Sequence, residues 1–158
     1  LKKLSKLNFI RKKNAKRIIN VLKKFNFFEI PKIKAGYNHV FYFLPILYKK
    51  ESLGLSKSKI CKILSAEGLI FRNGYRAPLY EEPIFKKQLG FGKKGWPFNQ
   101  SNRNRLKKNY NRKNFNTLEN IQQNKLIIFN QLIFDFNNIN KKKLDQLLKE
   151  IDLYKNEF

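Results

Sequence analysis

His39-Val40-Phe41-Tyr42-Phe43-Leu44-Pro45-Ile46-Leu47-Tyr48 is a nearly unbroken apolar run, rich in aromatic and β-branched residues. Such a run predicts a strand buried on both faces, not an amphipathic one. Pro45 has no amide hydrogen to give to a ladder, so it implies an edge position or a bulge. The sole histidine, His39, stands at the head of this run.

N-terminal to it, residues 1–28 predict a helix. Leu1, Leu4 and Leu7 fall three apart, and Ala15, Ile18, Leu22 and Phe25 continue at spacings of three and four, with Lys and Arg between them. Pro31 closes that region. C-terminal to the run, Gly54 breaks the chain, and Ser56 or Ser58 caps a short helix with Ile60, Ile63 and Leu64 on one face, ended by Gly68. Leu69 to Arg72 predicts a short strand and Asn73-Gly74 a turn. Residues 75–83 read as an extended stretch held by Pro78 and Pro83. Gly90-Phe91-Gly92 lacks both the further glycine and the leading strand of a dinucleotide loop, and so predicts a turn.

Residues 99–116 are rich in Asn, Lys and Arg without periodicity, and predict a flexible basic loop. Thr117 opens a helix that runs through Gln122 and Gln123. Leu126–Phe129 and Leu132–Phe134 are short apolar runs that fit strands or a buried turn. Asn140 caps a last helix carrying Leu144, Leu147, Leu148 and Ile151. The sum is an α/β chain of the α+β kind, a small sheet packed with helices. Residues 1–158 form one domain, 1–28 its linking helix.

The 158 residues carry 35 Lys+Arg against 11 Asp+Glu, a formal charge of +24, with one Cys, one Trp and no Met. One Cys excludes an internal disulfide framework, and one His with one Cys excludes a Cys/His zinc site. No apolar stretch approaches the roughly 20 residues that span a bilayer. The N-terminus has no signal-peptide pattern, which fits a cytoplasmic protein. Without a Met, the chain reads as a fragment whose start lies upstream.

The charge invites a polyanion partner. Yet Arg supplies only seven of the basic residues, and Lys, Asn, Ile and Phe, the residues of A- and T-rich codons, abound. Bidentate phosphate and base contacts favour Arg, so AT-rich coding is the stronger reading of the charge. Residues 83–118 contain no acid. A nucleic-acid-binding module would use loop 99–116, with Tyr110 and Phe115 as stacking candidates.

No catalytic constellation stands out. His39 has no nucleophile elbow to serve, and its role reads as a hydrogen bond. Glu81 and Glu82 are adjacent, so an extended chain turns them to opposite sides and they cannot pair as acid and base. Cys61 lies on a helix face and reads as a small buried hydrophobe. The lysines sit on polar faces or in loops, where nothing desolvates an amine.

Five segments resemble the C-terminal part of the sugar aminotransferases of the DegT/DnrJ/EryC1/StrS family. Leu4-Ser5-Lys6-Leu7 with Arg11-Lys12-Lys13-Asn14-Ala15 is similar to a helix with a Leu pair and an Arg-x-x-Asn-Ala signature. His39–Phe43 resembles the His-initiated strand that follows, and Leu64–Leu69 a helix end. Gly74-Tyr75-Arg76-Ala77-Pro78-Leu79-Tyr80-Glu81-Glu82-Pro83-Ile84-Phe85 is the specific match, to a Tyr-x-x-Pro-Leu-(His/Tyr)-x-x-Pro-x-Phe segment. Gly95-Trp96-Pro97-Phe98 and the last helix resemble the closing region.

The resemblance implies the C-terminal small domain of a fold-type I, pyridoxal-phosphate-dependent enzyme that works as a homodimer. It implies an amino donor, glutamate or glutamine, and a nucleotide-linked keto sugar as acceptor, in amino-sugar and polysaccharide synthesis. The Schiff-base lysine and the residues gripping pyridoxal 5'-phosphate would belong to a large domain upstream of Leu1, so the fragment alone would be inactive and would hold no catalytic residue. Tyr80 stands where many relatives carry a His at the substrate edge. Tyr80 and Tyr75 are therefore the candidates for sugar-side contact, or else both rings pack a domain interface. The sequence departs from the family's Tyr-x-x-Gly-x-Cys-Pro segment. Tyr110 and Glu119 keep their places, while Lys113, Phe115 and Asn116 replace Gly, Cys and Pro, which puts substrate choice in doubt. Two rivals stand beside this reading: the nucleic-acid module and a non-catalytic interaction domain.

Overall fold

Helix α1 (Leu4–Leu22) buries Asn14, Ala15, Ile18, Val21 and Leu22, the three- and four-residue spacing that helical geometry places on one face. Leu4 and Leu7 precede that stripe and remain exposed. The helix ends six residues before the expected Phe28, which instead enters strand β1 (Phe28–Glu29). Three aromatics explain the early stop. On a helix, Phe25 and Phe27 would point in nearly opposite directions. By leaving the helix, the chain buries Phe25, Phe27 and Phe28 together, with ring centroids 5.4 and 4.7 Å apart along the series.

The computed structural model describes residues 2–92, 95–98, 112–135 and 141–153. They divide into two compact units, residues 1–74 with 124–158, and residues 75–123.

The first unit is built on an antiparallel sheet ordered β1-β2-β3, with β2 at Phe43–Tyr48 and β3 at Leu126–Asn130. The apolar run becomes strand only from Phe43. Its preceding Phe41 lies in the left-handed region at φ 54°, which interrupts extended backbone. Phe41 is buried, and its amide donates to His39 Nδ1 at 2.9 Å. His39 is thus a backbone prop outside the strand. Nor is β2 buried on both faces. Leu44, Ile46 and Tyr48 are buried, while Phe43, Pro45 and Leu47 are half-buried. Pro45 pairs with Ile128, and β1 reaches only Leu47 and Tyr48. At Pro45 the strand therefore has a neighbour on one side alone, the local edge where proline is tolerated.

Two helices follow β2, α2 (Lys50–Leu53) and α3 (Lys57–Ala66). Of the two candidate caps it is Ser56 that works, its Oγ accepting from the Lys59 amide at 3.2 Å. Ile60, Cys61 and Leu64 are buried, and burial pushes the Cys61 thiol pKa up. Gly68 follows at φ 79°. Leu69–Arg72 forms no strand of its own. Arg72 alone exchanges both backbone bonds with Ile128, at 2.8 and 2.9 Å.

Residues 132–134 settle into a short helix, α6 (Gln131–Asp135), one of the last two helices of the unit. Its start is set by Asn130, whose Oδ1 accepts from the Leu132 amide at 3.0 Å. Asn14 of α1 is buried and donates from Nδ2 to the Phe134 carbonyl at 2.7 Å, which ties the two helices together. The other, α7 (Lys141–Leu153), buries Leu144, Leu147, Leu148 and Ile151. Asp145 on its flank pairs with Lys24 at 2.7 Å. The expected cap, Asn140, lies outside the described residues. No helix of the described residues is long and apolar enough to cross a membrane.

Candidate functional site

Both candidate site residues lie in the second unit, residues 75–123. The expected extended stretch 75–83 is turned instead, and the prolines are the reason. Pro78 precedes a 3-10 turn over Leu79–Glu81, and Pro83 takes the first position of helix α4 (Pro83–Lys86), where its fixed φ suits a helix start. Tyr80 sits inside the 3-10 turn and is buried.

Around Tyr80 the chain assembles a polar cluster. A second 3-10 turn, Arg112–Phe115, leads into helix α5 (Asn116–Asn120). Phe115 stacks on Tyr80, centroids 4.7 Å apart and planes within 8°. Glu119 accepts from the Tyr80 hydroxyl on Oε1. Its Oε2 accepts from Arg112 Nε at 3.1 Å, Arg112 Nη2 at 2.8 Å and Gln123 Nε2 at 2.9 Å. Four donors thus converge on one carboxylate.

The electrostatics follow from those bonds. The Tyr80 hydroxyl, and then the Arg112 guanidinium, hold the Glu119 carboxyl below its ordinary range. Loss of water, and then the bond to Glu119, push the Tyr80 phenol up to about 12. Arg112 is raised, first by its bond to Glu119. Each shift favours the ionised carboxylate, the neutral phenol and the charged guanidinium, the forms in which the four bonds are made. The arrangement is that of a clasp, which fixes geometry.

Tyr75 is held differently. Its amide donates to Gln122 Oε1 at 3.2 Å and its carbonyl accepts from Gln122 Nε2, so the backbone is gripped from both sides by one side-chain amide. The residue is 54% exposed. Of the two candidates, Tyr80 has its hydroxyl engaged inside the unit and Tyr75 presents its ring outward. Phe115, a stacking candidate for nucleic acid, has one face taken by Tyr80. Tyr110 and most of loop 99–116 lie outside the described residues, but its last residues, from Arg112, are a turn and the start of α5.

Sequence reasoning passed over Arg112, Gln123 and the hub role of Glu119. A signal was there: Glu119 is the only acid between Glu82 and Asp135. A lone carboxylate in so basic a stretch is marked for pairing.

The described residues do not fit pyridoxal phosphate, which needs a lysine able to form a Schiff base beside anchors for its ring and phosphate. The buried lysine among them, Lys57, donates from Nζ to the Leu126 carbonyl at 3.3 Å, with burial lowering its pKa. The Cys61 thiol one turn on opposes that shift. Nor do three or more His, Cys, Asp or Glu of the described residues gather as metal ligands.

Against known proteins, the model of the DegT/DnrJ/EryC1/StrS aminotransferase family matches residues 1–106. No curated protein sequence matches the chain. The matched span runs from α1 through the sheet's first two strands to the Tyr75–Phe85 stretch, and Glu119 with its Arg112 partner lies beyond it. A match over that share of its length, the segment that seats Tyr75 and Tyr80 included, makes this chain a member of the DegT/DnrJ/EryC1/StrS aminotransferase family.

Proposed function

We propose that the chain is the C-terminal portion of a pyridoxal-phosphate-dependent aminotransferase that acts on a nucleotide-linked keto sugar. The enzyme is a cytoplasmic homodimer serving amino-sugar and polysaccharide synthesis, with glutamate or glutamine as donor. The family match through the Tyr75–Phe85 stretch is the observation that carries this reading. The cofactor supplies the amine-carrying chemistry and is held by polypeptide outside these 158 residues, so the chain alone turns over nothing.

Within the chain, Tyr75 is the sugar-side residue. Its backbone is gripped by Gln122 and its exposed phenol both donates and accepts, as a sugar hydroxyl requires. Tyr80 lies at the substrate edge as a support. Buried and bonded to Glu119, it holds the turn that carries that edge.

The test is to express the reading frame extended upstream of Leu1 and to follow amine transfer from glutamate or glutamine to a nucleotide-linked keto sugar. We expect transfer, with Tyr75→Phe raising KM about two- to tenfold, the worth of one neutral hydrogen bond. A folded extended protein with no pyridoxal absorbance and no transfer would overturn the enzyme reading and favour the non-catalytic interaction domain.

A further inference from the structure

Two surface helices of the first unit, α1 and α7, carry charge differently. Helix α7 interleaves Lys141, Lys142, Lys143 and Lys149 with Asp145, Glu150 and Asp152. Two of those lysines are paired, Lys143 with Glu67 at 3.3 Å and Lys149 with Asp145 at 3.1 Å. Helix α1 carries six Lys and Arg and no acid, and Glu29 is the first acidic residue of the chain. AT-rich coding raises the lysine content of both helices. It accounts for the total charge and not for acids kept on one helix and missing from the other.

The lysines of α1 share a face that turns away from the core. Lys6 stands three residues before Phe9, and Lys12, Lys13 and Lys16 stand three, four and seven after it, the spacings that helical geometry places on one side. Phe9 is at none of those spacings from the buried Asn14, Ala15 or Ile18, and is 67% exposed. Lys12, on the flank, donates to Asn38 Oδ1 at 3.3 Å. Among the described residues, Lys6, Lys13 and Lys16 pair with no carboxylate.

An exposed phenyl ring is thus surrounded by amines on a convex helix face whose own helix supplies no counter-charge. That arrangement fits a planar partner, anionic at its surface and apolar just beneath. Lysine stems lie along apolar matter while their ammonium groups stay among phosphates and carboxylates, and the ring reaches past them. A nucleic acid is a poorer match. One ring on a convex helix offers no groove to track a phosphate backbone and no row of rings for successive bases.

We propose that the outward face of α1 docks on the surface of an anionic phospholipid bilayer, with Phe9 entering the acyl boundary and Lys6, Lys13 and Lys16 on the headgroups. The helix lies on the bilayer and does not cross it, in keeping with a length and charge that forbid a span.

The 158-residue chain is sedimented with vesicles of phosphatidylcholine alone and of phosphatidylcholine with about one-third phosphatidylserine. Binding should require the anionic lipid and weaken as salt is raised. A chain of formal charge +24 adsorbs to any anionic surface, so the variants decide. Phe9→Ala, which leaves the charge unchanged, should weaken binding about tenfold, and Phe9→Leu, which keeps an apolar tip, should stay within about twofold of the parent. Lys6→Gln with Lys13→Gln should weaken it about thirtyfold, at roughly fivefold for each lysine near the surface. Lys141→Gln with Lys142→Gln, the same loss of charge on α7, should cost about threefold or less. In a chain whose single tryptophan is moved by Phe9→Trp with Trp96→Phe, emission should shift to the blue on vesicles and be quenched by lipids brominated on the acyl chain. Equal binding by Phe9→Ala and the parent, or equal losses in the two lysine pairs, would reduce the contact to diffuse adsorption and overturn the proposal. So would a thymidine homopolymer that binds more tightly than the vesicles and loses that affinity in both Phe9→Ala and Phe9→Leu, because stacking needs the ring and insertion into lipid does not.

Discussion

The unit of residues 1–74 with 124–158 and the unit of residues 75–123 are held by different physics. The first closes around an apolar core drawn from α1, the sheet, α3, α6 and α7, with Val21, Phe27, Ile46, Ile127 and Leu148 among its fully buried side chains. In the second, Tyr80 and Phe98 are the buried hydrophobic residues among those described, and the rings of Tyr75, Phe91 and Trp96 stand in solvent. What holds it is the Glu119 clasp, the Gln122 grip on Tyr75 and the backbone pair of Phe91 with Trp96. The difference separates apolar packing from directional bonding. Burial scales with apolar area and keeps the first unit folded, whereas the second spends its aromatic surface outward and relies on directional bonds to stay in shape.

The comparison breaks most readily at the core. Ile46→Ala removes a fully buried side chain from β2 and leaves a cavity among packed neighbours. Denaturant unfolding should show a loss of about 2–5 kcal/mol, while hydrogen exchange in residues 112–123 changes less than in the strands.

A smaller effect is expected from Asn14→Ala, which leaves the buried Phe134 carbonyl without its donor. The cost should be about 1–3 kcal/mol, read as a lower denaturation midpoint with α6 losing amide protection first. No loss would mean that apolar packing, and not the amide, binds α1 to α6.

Smallest in global terms, and most telling locally, is Glu119→Gln. The amide keeps an acceptor for Tyr80 and loses the charge that Arg112 and the phenol answer. Overall stability should change little. Amide exchange across residues 79–86 and 112–123 should accelerate, with the sheet unaffected. The same clasp predicts a pH dependence. The carboxyl pKa is lower when folded than when unfolded, so its contribution is complete above the ordinary glutamate range and is lost as pH falls through the lowered value. Protection factors in the second unit should therefore fall on acidification in the parent and stay flat in Glu119→Gln.

How much was legible depended on the range of the interaction. A serine cap at 56 or 58, the stop at Gly68, the buried Cys61 and the apolar stripe of α7 all follow from residues within a turn or two of each other. The two units did not follow, nor did the clasp, because Tyr80 and Glu119 lie 39 residues apart. The apolar run at 39–48 predicts strand throughout, yet the left-handed Phe41 and its His39 prop depend on where the chain must enter the sheet. Leu132–Phe134 was ambiguous for a related reason. A short apolar run carries no period of its own, and Asn130 together with the waiting amide of Asn14 made it a helix.

By itself, the sequence determined the helix-and-sheet composition, the family membership through Tyr75–Phe85, and the exclusion of a disulfide framework or zinc site, since these rest on residue type and short-range spacing. The tertiary structure alone decided where the aromatic residues go. Tyr80 and Phe115 close on each other, and Phe91 and Trp96 turn outward, although all four look alike in a one-dimensional reading. Which ring is buried depends on what the folded backbone brings opposite it, and that is set by contacts dozens of residues away.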